Sequence, residues 1–320
     1  MRILEFKEIG SPPALTEAPI PAPLAGQIRI RVSATALNFA DILMIEGKYQ
    51  DMPPFPLVPG LEVAGIVDEV GRGVTGITEG TRVAAQCRGG GLAEYVVADA
   101  AQILQLPNAM NDVVGAAFQI AYGTSHLALA RRGRLAKGET LAVLGAAGGV
   151  GLAAVQVGNA LGAHVIAVAR GEDRLAVAKS AGAQVLVDSN KTPDLRRALK
   201  SAGPLDVVFD AVGGSDGEAA LRSIRPEGRH LLVGFASGEL PTLRPNHMLV
   251  KNIDVIGVNW GGYSSFEPSA AAQSLEILVK WFCEGRIEPH ISKVLTLDQA
   301  AEAFEILRNR QATGKIVITQ

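Results

Sequence analysis

Cysteine is nearly absent from this 320-residue chain. Cys87 and Cys283 stand far apart and in no C-x-x-C pattern, which excludes a secreted disulfide scaffold. Charge is sparse and balanced: charged residues make up 19%, with 30 Lys and Arg against 32 Asp and Glu, for a net charge of −2. No basic run with interleaved aromatics occurs, so neither nucleic acid nor anionic lipid is expected as a partner. Long apolar runs are missing as well. The start, MRILEFKEIG, is charged and alternating, and Pro12, Pro13, Pro19, Pro21 and Pro23 follow at once. That start lacks the uninterrupted apolar stretch of a secretory signal, so none is expected, and later apolar stretches are broken by Gly, Asn or charge well short of a membrane span. The five histidines, His126, His164, His230, His247 and His290, show no metal-ligand spacing, so no metal is expected. A cytoplasmic globular protein is the expectation.

What the chain does have is length for about two domains, and 48% hydrophobic residues to build their cores. Up to about residue 105 the signals are β: Gln27 to Val32, Ala64 to Val70 and Arg82 to Ala85 are short Val- and Ile-rich runs, densely punctuated by Gly and Pro. The run from Glu62 to Gly71 reads as a bent strand with a glycine kink. Residues 111–132 take helical spacing. Strands at Leu141–Leu144, His164–Ala169, Val185–Val187, Val207–Phe209, His230–Val233 and Ile253–Val258 then alternate with helical segments such as 149–161 and 172–181. Such alternation implies a parallel sheet covered on both faces. A helix over 268–284 and a strand at Lys315–Ile318 close the chain. The expected fold is α/β, with a Rossmann-type parallel sheet domain over 120–257 inserted into a β-rich catalytic domain made of 1–119 and 258–320.

The strongest local signal is the apolar strand Leu141–Leu144 followed by Gly145-Ala146-Ala147-Gly148-Gly149-Val150-Gly151 and a helix. A tight turn there lets backbone N–H groups approach a pyrophosphate, and the helix start adds its positive dipole end. The glycine spacing is G-x-x-G-x-x-G. At the end of the next strand a NAD site carries an acid for the ribose hydroxyl. This chain has Ala169-Arg170-Gly171 instead. Arg170 offers a fork of donors to a 2′-phosphate and Lys179 adds charge about two turns on, favouring NADPH. Glu172 and Asp173 lie nearby and work against that choice.

Taken together, the motifs resemble those of the zinc-independent quinone oxidoreductases of the medium-chain dehydrogenase/reductase superfamily. Asn38-Phe39-Ala40-Asp41 with Gly47-Lys48-Tyr49, Pro59-Gly60-Leu61-Glu62-Val63-Ala64-Gly65, the loop ending in Gly151, Ala178-Lys179 through Ala183, and Gly314-Lys315-Ile316-Val317 carry the resemblance over essentially the whole chain. It implies that the β-rich domain is GroES-like. Zinc-dependent cousins place Cys where this chain has Asn38 and His where it has Leu61, and Glu62 is left without those partners. The resemblance implies that Asn38, Asp41 and Tyr49 lie near the nicotinamide. Asn38 is then a hydrogen-bond donor to a substrate oxygen and Tyr49 a proton donor. Asp41 equally fits a helix cap, and Tyr49 packing. Leu43 and Ser189 stand where relatives often carry Tyr.

Cofactor contacts implied in the same way are Thr124, Gly145, Ala147, Gly148, Gly149, Val150, Gly151, Arg170, Lys179, Val212, Gly234, Phe235, Ser237, Asn259, Trp260 and Lys315. The expected reaction is hydride transfer from NADPH to a quinone or similar activated acceptor. Reduction of an enone, 2-alkenal or acryloyl thioester is the enzyme alternative, and a non-catalytic NADPH-binding protein is the remaining one. Relatives pair through the edge strand Ile253–Val258, so a homodimer is expected.

Overall fold

A computed structural model describes residues 1–50 and 52–320 and divides them into two compact units, Met1–Ile120 with Ile291–Gln320, and Ala121–His290.

The first unit is β-rich. Its main sheet runs, in spatial order, Ile291–Thr296, Lys315–Thr319, Gln27–Ala36, Glu62–Val70, Arg82–Gln86 and Ile103–Gln105, and Tyr95–Asp99 also pairs with Gln27–Ala36. Pairing is antiparallel throughout, except between the first two strands. The kink expected in the fourth strand falls at Gly65. A Cβ there would lie 2.1 Å from the Arg31 carbonyl oxygen, and the register slips beside it, between Val32 and Ala34. The short helix Phe39–Ile45 and the amphipathic helix Ala300–Arg308 cover an apolar cluster that includes Phe6, Ile42, Leu57, Phe304 and Ile316.

The second unit is a six-stranded sheet with every pair parallel. Numbered in chain order its strands lie 3-2-1-4-5-6, the doubly wound arrangement expected from the alternation. Strand 1 is Thr140–Leu144, 2 is His164–Ala169, 3 is Val185–Asp188, 4 is Leu205–Asp210, 5 is Ile224–Leu232 and 6 is Asp254–Gly257. Strands 1 and 4 are buried along their whole length, because helices cover both faces.

Residues 111–132 form three helical pieces: Asp112–Ala116, capped by Asn111, then Gln119–His126, then a π-helical turn Leu127–Arg132. The division between the units falls inside this segment. The second unit also runs past residue 257 to His290, because the helices Trp260–Phe266 and Pro268–Cys283 pack onto it. His126 Nδ1 lies 3.0 Å from Ser274 Oγ and its ring meets Trp281 edge to face. Gln156 Nε2 donates to the Glu288 carbonyl. No helix among the described residues is long and apolar enough to cross a membrane.

Candidate active site

In the second unit, strand 1 ends at Gly145, whose φ of +69° is the left-handed conformation that glycine adopts without strain. The turn is tied by Gly148 N–H donating to the Gly145 carbonyl (3.0 Å) and Ala146 N–H donating to the Val168 carbonyl of strand 2 (3.0 Å). Gly148 then caps the helix Gly149–Ala160. The N–H groups of Gly149, Val150 and Gly151 occupy its first turn, where no intrahelical acceptor exists, at the positive end of the dipole. Ala147 is buried beneath this turn and Gly148 is exposed above it. The glycines divide the work. A Cβ on Gly151 would lie 2.1 Å from the Gly145 carbonyl oxygen, whereas one on Gly148 would meet only that oxygen, at 3.4 Å. Gly151 lets the helix seat against the turn, and Gly148 leaves space open in front of the donors. That open cradle suits a pyrophosphate.

Strand 2 ends at Ala169, and Arg170, the next residue, is exposed. Gly171, at φ +84°, turns the chain into the helix Glu172–Ser180, and its N–H donates to Asp188 Oδ1 (2.9 Å). Arg174 follows one turn into the helix. Burial first, and then the Arg170 charge beside it, hold its guanidinium below the ordinary arginine pKa. Burial, and then Asp210, raise the pKa of Asp216, while Arg170 opposes them. Glu172, the acid that weighed against a 2′-phosphate, is tied to Lys191 Nζ at 2.6 Å. Lys179 sits in the last turn of the same helix as Arg174. Arg174 escaped the sequence reading, although its i, i+4 spacing from Arg170 was the signal that could have found it.

The loops after strands 4 and 5 are zipped together. Ala236 N–H and Ser237 N–H donate to the carbonyls of Ala211 and Val212 (3.1 and 2.9 Å), and Val233 and Gly234 N–H both donate to the Asp210 carbonyl. Asp210, fully buried, holds the turn: Oδ1 accepts from Val212 N–H (2.9 Å) and Gly213 N–H (2.8 Å), and Oδ2 lies 3.0 Å from His230 Nε2. The Phe235 ring approaches the α-carbon of Gly213. Val212, Gly234, Phe235 and Ser237 are therefore brought together at the carboxyl end of the sheet, beside the point where strand order reverses.

After strand 6, Asn259 accepts from Gly262 N–H (3.3 Å) and caps the helix that carries Trp260. The Trp260 ring lies over Gly123, where a Cβ would be 2.5 Å from the ring, and Thr124 is buried next to it in sequence. Trp260 Nε1 is buried without a hydrogen-bond partner among the described residues. An unpaired buried donor at this end of the sheet suits a bound group that brings an acceptor.

The first unit holds the other candidates. Asp41 is completely buried, and both carboxylate oxygens are engaged: Oδ2 accepts from Asn38 N–H and Oδ1 from Gly60 N–H, each at 2.8 Å. Burial raises its pKa to about 6 against these hydrogen bonds and the Lys315 charge. Asp41 thus completes the capping box at the start of the helix Phe39–Ile45, with Asn38 as its N-cap. Tyr49 and Leu61 pack on the apolar cluster. Lys315 and Glu62 form a buried ion pair, Nζ to Oε1 at 2.7 Å. Lys315 Nζ also donates to Asn38 Oδ1 (2.7 Å), Asn38 Nδ2 donates to Glu62 Oε1 (3.1 Å), and Glu62 Oε2 accepts from Ile120 N–H (3.0 Å). The Glu62 carboxylate therefore has a cation, but it is an ammonium from the closing strand. Among the described residues no three His, Cys, Asp or Glu side chains gather as a metal ligand set. The Cys87 thiol is pushed up to about 12 by burial and then by Glu62, so it stays protonated.

Comparison with known proteins agrees with this geometry. The "Alcohol dehydrogenase GroES-like domain" family matches residues 24–108 and the "Zinc-binding dehydrogenase" family matches residues 149–276. Asn38, Leu61 and Glu62 lie in the first of these stretches. The quinone oxidoreductase-like protein 2 homolog of Nematostella vectensis is 37% identical over 297 residues, covering 91% of this chain and 81% of its own. The quinone oxidoreductase of Thermus thermophilus, solved also in complex with NADPH, superposes with a TM-score of 0.88 at 32% identity over 100% of both chains. The Escherichia coli quinone oxidoreductase complexed with NADPH gives a TM-score of 0.93 at 27% identity, again over 100% of both chains.

Proposed function

This chain belongs to the zinc-independent quinone oxidoreductase family of the medium-chain dehydrogenase/reductase superfamily, and on that premise we propose that it transfers hydride from NADPH to a quinone or similarly activated acceptor without a metal ion. It is an oxidoreductase with a nicotinamide cofactor. The observation that supports NADPH over NADH is the exposed Arg170 directly after strand 2, where a NAD site carries an acid.

Bound in this way, the reduced nicotinamide supplies the hydride. The N–H groups of Gly149, Val150 and Gly151 hold the pyrophosphate, with Gly145, Ala147 and Gly148 shaping the cradle. Arg170 and Arg174 take the 2′-phosphate, and Lys179 adds positive charge from the same helix. Thr124, Val212, Gly234, Phe235, Ser237, Asn259 and Trp260 line the nicotinamide end. On the substrate side, Asp41 fixes the Asn38 backbone, and Tyr49 with Leu61 supplies an apolar wall suited to a quinone ring. An acceptor that is already electron-poor needs no Lewis acid, which fits Asn38 and Leu61 standing where zinc ligands would be.

Strand 6 pairs with strand 5 on one side only among the described residues. A depression of about 520 Å³ is lined by residues that include Arg131, Arg134, Val255, Ile256 and Tyr263. A second copy pairing on this edge would cover it and give a homodimer. Ile256→Asp should then sediment as a monomer, and an unchanged dimer would refute that edge.

The deciding assay is NADPH oxidation with a simple ortho- or para-quinone in the presence of a chelator, beside the same assay with a 2-alkenal. Chelator-resistant turnover that favours the quinone supports the reading. Absence of quinone-dependent NADPH oxidation would overturn it.

A further inference from the structure

The cluster of Asn38, Glu62 and Lys315 can be closed as a hydrogen-bond inventory, because each side chain has a known number of donors and acceptors. The Asn38 amide has two N–H donors, and they face Glu62 Oε1 (3.1 Å) and, at longer range, the Ala36 carbonyl (3.4 Å). Its oxygen accepts from Lys315 (2.7 Å). Glu62 accepts at both oxygens, and its Oε1 takes Lys315 Nζ at 2.7 Å. Asp41 has both oxygens on backbone N–H groups. Lys315 carries three N–H donors, of which Glu62 and Asn38 take two. The third is the one donor of this cluster that no neighbour claims among the described residues, and it belongs to a full positive charge.

We propose that Lys315, rather than Asn38, is the catalytic residue that hydrogen-bonds the substrate oxygen on which negative charge develops. The inference rests on the hydride-transfer reading above. The acceptor takes up a hydride with its electron pair, one carbonyl oxygen of the quinone becomes a phenolate-type oxyanion, and the nicotinamide is left oxidised. The Lys315 ammonium donates its third N–H to that oxyanion, and water protonates the oxygen as the hydroquinone leaves. Glu62 and Asn38 are positioning residues. They hold the ammonium in one orientation, so no reorganisation is needed as the charge forms. Asn38, half-buried while its two partners are buried, marks the side from which an oxygen reaches the ammonium.

The test uses the whole chain and 4-nitrophenol, a probe whose ionised form mimics the oxyanion and absorbs differently from its neutral form. Without any nucleotide present, wild type should bind the probe as phenolate, with its apparent pKa lowered, and a quinone should displace it. Removing Lys315 alone would strand a buried carboxylate and endanger folding, so the variant is Lys315→Met combined with Glu62→Gln. Lys315→Gln with Glu62→Gln serves as a second neutral version. Both should lose the pKa shift and lower kcat/KM for the quinone roughly 10- to 150-fold, the usual effect of losing a charged hydrogen bond. NADPH affinity by calorimetry should stay unchanged. Persistence of the shift without Lys315 would overturn the assignment, and so would a parallel loss of NADPH affinity, which would place Lys315 at the cofactor. Failure of wild type to oxidise NADPH with quinones would strike the hydride-transfer reading instead, since the phenolate shift is read on nucleotide-free protein.

Discussion

Replacing Gly148 with Val should abolish dinucleotide binding and leave the fold almost untouched, whereas Gly151→Ala should do nearly the reverse. Gly148 has φ −78° and ψ 173°, an extended conformation open to any residue. A Cβ there lies 3.4 Å from the Gly145 oxygen and within 4 Å of nothing else. Losing glycine at a helix cap and gaining rigidity in the unfolded chain have opposite signs, so the net stability change should stay below about 1 kcal/mol, or a few degrees in Tm. Binding is another matter. A side chain projecting into the cradle displaces the phosphate from donors whose charge-assisted hydrogen bonds are worth roughly 1.5–3 kcal/mol each. Losing two of them weakens binding by roughly 10²- to 10⁴-fold. At Gly151 the same methyl group lies 2.1 Å from the Gly145 oxygen, 2.8 Å from its carbonyl carbon and 3.1 Å from Ala146 Cα, all of them backbone atoms. Such overpacking costs about 1–3 kcal/mol or more and lowers Tm by several degrees. Calorimetric titration with NADPH, beside a melting curve of each nucleotide-free protein, separates the two effects. A Gly148→Val protein that binds NADPH near wild-type strength, or that melts early like the Gly151 variant, would refute the division of roles.

Arg170→Ala should weaken NADPH binding roughly 10- to 150-fold with little change for NADH, and equal losses for both cofactors would remove the 2′-phosphate assignment. Purified protein should contain far less than one zinc per chain and keep its activity after chelation, as metal analysis and a chelator-treated assay would show. Burial holds His126 down to about 4, against an ordinary 6.5, so its folded form resists protonation. Its contribution is present above about pH 6.5 and is lost as pH falls toward 4, by up to about 3 kcal/mol. Asp41, raised to about 6 by burial, has the opposite sign and disfavours the fold as pH rises from about 4 to about 6. Urea titrations across this range should show the acid-side loss shrink in His126→Asn and the alkaline-side loss shrink in Asp41→Asn.

The glycine turn and helix start at Gly145–Gly151 were legible in the sequence because everything that makes them is local. A strand, a left-handed glycine, a cap and a helix start within one short segment place the N–H donors without help from the rest of the chain. The same holds for the alternation that foretold the parallel sheet, and for Arg170 at the end of its strand. The helical spacing over 111–132 was legible too, and it is met by the helices Asp112–Ala116 and Gln119–His126 and the π-helical turn Leu127–Arg132. Whether Asp41 caps a helix or faces a substrate could not be decided from residue types alone. Its neighbour Gly60 lies 19 residues away, and only the fold brings that N–H to its second oxygen. Lys315 is the sharper case. In the sequence it is one basic residue in a closing strand, while Glu62 looks like an acid abandoned by its zinc partners. Antiparallel pairing of Lys315–Thr319 with Gln27–Ala36, and of that strand with Glu62–Val70, sets the ammonium and carboxylate 2.7 Å apart across 253 residues. Local chemistry therefore decided the turn and helix start at Gly145–Gly151. Sheet register, which no short stretch of sequence encodes, decided which cation stands beside Glu62.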